Sequence, residues 1–113
     1  MQRLTRRPDF LAAAKAVTLA TPGFLLQARN RADDGQPRVG FTCTKKLGNA
    51  VARNRIKRRL REIVRLSLEP VAQVSYDYVL VGRSVAASRD FQKLQADLIS
   101  AADRIHIQKT DRI

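Results

Sequence analysis

Ten residues, Arg53-Asn54-Arg55-Ile56-Lys57-Arg58-Arg59-Leu60-Arg61-Glu62, hold six cations and two apolar side chains, and the run continues as Ile63-Val64-Arg65-Leu66. At about 100° of rotation per residue, Ile56, Leu60, Ile63 and Val64 fall on one stripe. Arg53, Asn54, Lys57, Arg58, Arg61 and Arg65 spread over the adjoining and opposite arc, with Arg55 and Arg59 on the other flank. The spacing predicts one amphipathic helix, which must bury its stripe and turn its cations away from the core. Glu62 is the sole acid in the run, so pairing one turn apart cannot relieve the repulsion between like charges. A merely solvated helix face mixes signs, and this one does not. The charge is therefore aimed at an anion. Guanidinium forks match phosphate oxygens, and arginine outnumbers lysine here, which favours nucleic acid.

The whole chain repeats that bias. Lys and Arg number 22 against 10 Asp and Glu, a formal charge of +12 whose self-repulsion a polyanion would neutralise. The length of 113 residues suits a single domain over 1–113, with a basic N-terminal arm at 1–7 and a C-terminus, 107–113, expected to fray. Membrane binding is disfavoured: no apolar run approaches the roughly 18 residues of a spanning helix, and the basic helix has no Trp or Phe on its apolar face. Met1-Gln2-Arg3-Leu4-Thr5-Arg6-Arg7 has charge but no apolar segment behind it, so a cytoplasmic protein is expected, monomeric without RNA.

Catalytic chemistry is hard to find. Cys43 is the only cysteine, at period two with Val39 and Phe41, and reads as a buried structural thiol. His106 is the only histidine and reads as a surface residue, with no second ligand at metal spacing. The acidic residues are scattered, with no carboxylate cluster for a two-metal nuclease site, no glycine-rich phosphate loop and no nucleophile with a base. On residues alone this is a binding module.

In chain order, Pro8 and Asp9 suit the first turn of a short helix through Lys15, with Phe10 as its one large ring. That ring could pack in the core or stack on a base. Val17-Thr18-Leu19-Ala20 is β-branched and apolar, Thr21-Pro22-Gly23 breaks it, and Phe24–Ala28 reads as a strand. The polar stretch 30–37 reads as a hairpin loop, returning as a second, antiparallel strand over 38–44. Gly48 and Asn49 form the entry to the basic helix, Asn49 as its cap. Glu69-Pro70 stops that helix. Tyr76–Arg83 is an apolar-rich strand, giving a strand-helix-strand parallel crossover. Ser88 or Asp90 caps a last helix carrying Phe91, Leu94, Leu98, Ala101, Ala102 and Ile105 on one stripe. The expected fold is an α/β (α+β) two-layer sandwich with a small mixed sheet. It lacks the aromatic boxes of an RNA-recognition motif and the paired helices of a helix-turn-helix.

The run Arg38-Val39-Gly40-Phe41-Thr42-Cys43-Thr44-Lys45-Lys46-Leu47-Gly48-Asn49-Ala50-Val51-Ala52-Arg53-Asn54-Arg55-Ile56-Lys57-Arg58-Arg59-Leu60-Arg61-Glu62 resembles the protein subunit of bacterial ribonuclease P. It combines the RVG strand, the KK-x-GNAV turn and the RNRIKR helix start in family order. Weaker resemblance runs from the Asp9-Phe10 pair through the YDYVLVGR strand. The resemblance implies an enzyme whose active site is RNA, in which a catalytic RNA holding Mg²⁺ and this small protein remove the 5′ leader from precursor tRNA. It also implies a left-handed crossover, against the general right-handed rule. Carried over residue by residue, Lys45, Lys46, Arg53, Asn54, Arg55, Lys57, Arg58 and Arg61 match the surface for the catalytic RNA. Phe10 and Arg83 match a leader cleft on the sheet face beside the first helix. Two aromatics common in the family are replaced by Ala14 and Gln27, which implies leader stacking that is weaker or carried by other residues. A ribosomal-type RNA-binding protein, which can share this fold, is the alternative, and a double-stranded DNA binder comes third.

Overall fold

A strand apolar in near-continuous sequence needs cover on both faces. Tyr76-Asp77-Tyr78-Val79-Leu80-Val81-Gly82 obtains it by lying in the middle of the sheet, with every residue from Ser75 to Leu80 buried. The computed structural model describes the backbone of residues 1–110 and the side chains of residues 1–106. The expected fraying of 107–113 lies outside the fully described residues. In chain order the elements are β1 (Gln2–Arg3), α1 (Arg7–Ala14), β2 (Val17–Ala20), β3 (Phe24–Asn30), β4 (Arg38–Thr42), α2 (Ala50–Ile63), β5 (Tyr76–Gly82) and α3 (Phe91–Thr110). The five strands form one mixed sheet in the order β1-β4-β5-β3-β2.

This order corrects the expected hairpin. β3 and β4 do not pair, because β5 lies between them, antiparallel to β3 and parallel to β4. The parallel β4-α2-β5 crossover is as the sequence suggests. The basic N-terminal arm is also more structured than expected: Gln2 and Arg3 pair with Arg38 and Val39, the Leu4 amide donates to the Val39 carbonyl at 2.9 Å, and Leu4 is buried. The missed signal is Leu4 itself, a lone large apolar residue among cations.

The sheet has two unlike faces. On one, Phe24, Leu26, Val39, Tyr78 and Leu80 meet Ile56, Leu60 and Ile63 of α2 and Leu94, Leu98, Ala102 and Ile105 of α3. The stripe assigned from periodicity is the buried one. Asn49 caps α2, its Oδ1 accepting from the Ala52 amide at 3.0 Å, and Asp90 rather than Ser88 caps α3 through the Lys93 amide. After Ile63 the helix widens into a single π turn, Val64–Leu68, before a 3₁₀ turn at Glu69–Val71. On the other face α1 sets Ala13 against Leu4 and Val79, with Phe10 and Val81 at the margin.

Two single residues sit differently from expectation. His106 is half-buried: its Nε2 lies 2.9 Å from the Tyr78 hydroxyl, and its ring meets Tyr76 edge-on. Period two places Tyr76 and Tyr78 on one sheet face, and an imidazole on the covering helix fits between their polar edges. Burial pushes the Tyr78 hydroxyl up to about 12. Cys43 is half-buried rather than buried, because β4 ends at Thr42 and the chain is already leaving the sheet. Burial raises its pKa against the opposing pull of Lys57, Arg61 and Arg53.

The α1 end of the sheet is held by charge. Asp77, with no exposed surface, accepts from Arg38 Nε and Nη2 at 2.7 and 2.8 Å and from Arg31 Nη1 at 2.5 Å. Arg38 and Arg29 also approach Asp9 of α1, at 3.5 and 3.9 Å. Burial alone would push the Asp77 carboxyl up, but the hydrogen bonds from Arg38 and Arg31 outweigh it and hold it below the ordinary range. The stability it contributes is therefore present above the unfolded-state value of about 4 and is lost as pH falls through the lowered one. Asp77→Asn should cost about 1 to 3 kcal/mol at neutral pH, by leaving the partly buried Arg31 and Arg38 guanidinium groups without their carboxylate. Thermal melts should show the gap between Asp77→Asn and the parent protein narrowing as pH drops below about 4; a gap independent of pH would mean that Asp77 is not ionised in the fold.

Candidate nucleic-acid interface

Because α2 buries Ile56, Leu60 and Ile63, its cations must divide between two flanks and a crest. On one flank Arg55 and Arg59, one turn apart, reach the 3₁₀ turn at Ser84–Ala87 that precedes α3. Arg55 Nε donates to the Ala87 carbonyl at 2.9 Å and Arg59 Nη1 to the same oxygen at 3.0 Å, while Arg59 Nη2 donates to the Arg89 carbonyl. The Arg59 guanidinium also lies 5.9 Å from the centre of the Phe91 ring. Helix C-terminal carbonyls and turn carbonyls are natural partners for such donors. Arg59 is thus a structural clamp, and Arg55 divides its donors between the turn and solvent.

Arg53, Lys57 and Arg61 form the opposite stripe, and Asn54 and Arg58 lie exposed between the flanks. None of these five makes an ion pair or side-chain hydrogen bond with another described residue. Glu62 is committed to Arg65, Oε1 to Nη2 at 2.5 Å. Lys45 and Lys46 occupy a 3₁₀ turn, Lys45–Leu47, just before the α2 N-terminus, and both are exposed. Gly48 turns the chain from there into α2 at φ +120°, a conformation a side chain would strain. The result is a surface of unpaired cations around a helix N-terminus, the arrangement that attracts phosphate.

The α1 side of the sheet carries a second feature. Strand register sets three rows across this face. Arg38, Asp77 and Arg29 form the first; Gly40, Val79, Gln27 and Thr18 the second; Thr42, Val81, Leu25 and Ala20 the third. α1 covers the first two over β5 and leaves the third open, with Thr42, Val81 and Leu25 half-buried and Ala20 exposed. Phe10 stands at the wall of this strip, directly over Gly40, where a Cβ would come within 2.6 Å of the ring. Thr5, Arg7, Leu11 and Thr42 surround the same hollow. Arg83 follows β5 in extended conformation, so alternation continues onto this face. It is exposed and gives one donor to the Thr21 carbonyl at 3.2 Å.

The structure thus brings Phe10 and Arg83 to one face of the sheet and the α2 cations to another part of the surface. Gln27 and Ala14 lie on the α1 side, and neither supplies an aromatic there. Sequence reading missed Leu11, Thr42, Val81 and Leu25 as the lining of the open strip. Thr42 could have been found from its period-two relation to Gly40, but Val81 and Leu25 needed the register. Among the described residues no group of three or more His, Cys, Asp or Glu is placed to hold a metal ion, and no helix is long and apolar enough to cross a membrane.

A family profile described as Ribonuclease P matches residues 1–106. The chain is 51% identical over 110 residues to the ribonuclease P protein component of Ruegeria pomeroyi, covering 94% of this chain and 87% of that protein. It is 50% identical over 101 residues to the one from Caulobacter vibrioides, covering 88% and 68%. Among solved structures, the RNase P protein of Thermotoga maritima superposes with a TM-score of 0.75 at 28% identity, over 92% of this chain and 97% of that one. That of Staphylococcus aureus gives 0.71 at 26%, over 100% and 97%.

Neighbouring arginines on α2 should behave oppositely. Arg58→Ala should weaken binding to a structured RNA roughly tenfold and leave the thermal melt unchanged, since the side chain is exposed and makes no hydrogen bond or ion pair with another described residue. Arg59→Ala should cost about 1 to 3 kcal/mol in stability by releasing the turn before α3. Paired melts and RNA titrations of the two variants check this; matching behaviour would mean the two flanks are not distinct.

Proposed function

The chain belongs to the ribonuclease P protein family, and on that premise we propose a division of labour between its two surfaces. Lys45, Lys46, Arg53, Asn54, Arg55, Lys57, Arg58 and Arg61 bind the catalytic RNA. The open strip beside α1, with Phe10 at its wall and Arg83 at its end, holds the single-stranded 5′ leader of precursor tRNA. The observation that carries this reading is the set of α2 cations left without a partner among the described residues, which also hold no group of three or more clustered carboxylates. Such a protein contributes binding and leaves the hydrolysis to a partner. The RNA would hold the Mg²⁺ ions and supply water activation there, while this chain positions the substrate and screens phosphate repulsion.

Phe10 offers a ring on which any base can stack, and Arg83 offers a charge to the backbone. Neither reads a base edge. A leader therefore adds affinity over mature tRNA, and salt erodes the backbone part of that gain.

RNA-free protein should cleave no precursor tRNA, and adding catalytic RNA with Mg²⁺ should restore cleavage at the 5′ end. Cleavage by the protein alone would refute the assignment of the chemistry to RNA. Phe10→Leu keeps an apolar side chain against Gly40, Leu4 and Val79 but loses the ring. In the holoenzyme it should cut the affinity gained from a leader by about 1 kcal/mol or more, leave mature tRNA binding alone and barely move the salt slope. Equal loss for both ligands would place Phe10 in the core only.

A further inference from the structure

A second groove lies on the far side of Phe10 from the open strip. It is lined by Arg3, Leu4, Thr5, Phe10, Lys57 and Arg61, with the edge of β4 as its floor. Phe10 and Thr5 line both hollows, so the two meet at the ring. Three cations from two separate elements converge here: Arg3 from β1, and Lys57 and Arg61 from one stripe of α2. No carboxylate lines the groove, and none of the three makes an ion pair with another described residue. Like charges brought together in this way raise one another's energy unless an anion enters between them. β1 has only two paired residues, and its register sets Arg3 beside Val39 at the rim, where a longer edge strand would have closed the groove.

We infer that this groove is a backbone track for the leader beyond the base held at Phe10, with Arg3 as its distinctive phosphate contact. The inference rests on the leader-cleft reading given above. The occupant is an unpaired strand because the groove is a recess between a sheet edge and a helix and opens at an aromatic ring. That combination of cationic trough and stacking platform suits single-stranded nucleic acid. The convex crest of α2 at Arg58, by contrast, suits a folded RNA surface. The leader strand would thus pass from the strip, over Phe10, into contact with Arg3, Lys57 and Arg61, so that substrate and catalytic RNA share one stripe of α2.

The test is equilibrium binding by holoenzyme reconstituted with parent protein or Arg3→Gln, using precursor tRNAs with a leader that ends at the Phe10 contact or extends past it, across a salt series. Assembly of each protein with catalytic RNA and its thermal melt are measured alongside. With parent protein, affinity should rise when the leader is extended. Arg3→Gln should remove roughly threefold or more of that rise and make the salt slope for the extended leader shallower by about 0.7. Short-leader binding, assembly and the melt should stay as they were, and Arg3→Lys should restore most of the rise. Loss in catalytic-RNA assembly without dependence on leader length would overturn the proposal and assign Arg3 to the other RNA. A gain from the short leader with none from extension would overturn it while sparing the Phe10 cleft; no gain from any leader would overturn both.

Discussion

A fully buried carboxylate must find its counter-charges inside the fold, and the position of Asp77 dictates much of what surrounds it. Its strand is the centre of the sheet, so Arg38 comes from the parallel neighbour and Arg31 from just beyond the antiparallel one. Arg31 then organises the loop it starts. Its Nε and Nη2 bind Asp33, Nη2 also reaches the Gln36 carbonyl, and the loop docks on the start of β5 through hydrogen bonds between Arg31 and Ser75 and between Ser75 and Gly35. Arg38 and Arg29 carry the same network to Asp9, adjacent in sequence to Phe10. α1 has only Ala13 fully buried, so its few apolar contacts are weak anchors. The charge network adds two partly exposed ion pairs to the packing of Phe10 on Gly40 and Leu4 in setting the wall of the strip against the sheet.

The same ionic logic runs in reverse on α2. A net charge of +12 costs stability in proportion to how closely the cations are gathered, and this helix gathers them tightly. The fold relieves that cost on one flank only, by giving Arg55 and Arg59 the carbonyls at the start of the α3 connection. On the other flank relief has to come from outside. In the proposed division of labour Arg59 stands on the structural side of this helix, Arg55 is shared between the fold and the RNA, and the cations without an acceptor among the described residues stand on the RNA side.

Most of α2 was legible from sequence because its signal is local: periodicity chose the buried stripe, Asn49 supplied the cap, and the near-absence of acids set the run apart from an ordinary solvated face. The sheet was legible only in part. Strand positions follow from local pattern, but pairing is non-local, and a polar loop between two strands reads as a hairpin whether or not a third strand lies between them. The clue was in β5, whose near-continuous apolar run belongs to a strand covered on both faces, with Asp77 as the exception that demanded arginine partners. Arg31 was hidden by its loop setting, and His106 by its isolation in sequence, since neither signals an inward-pointing side chain without the register. Phe10 and Arg83 came from family resemblance; periodicity alone could not choose between core and stacking for the ring.

That ambiguity is physical. Phe10 is half-buried because it rests on Gly40, and the RVG stretch permits this because its third residue has no Cβ. With any side chain there the ring would collide and be driven off the sheet, and the two hollows that meet at it would lose their common boundary. A ring held on a backbone surface has less conformational freedom to lose when a base stacks on it, so partial burial favours binding rather than competing with it. In the proposed leader cleft the glycine thus serves recognition without touching the ligand. Gly40 and Asp77 constrain the same feature from two directions, one by letting the ring come down onto β4 and the other by fixing the helix from which it hangs.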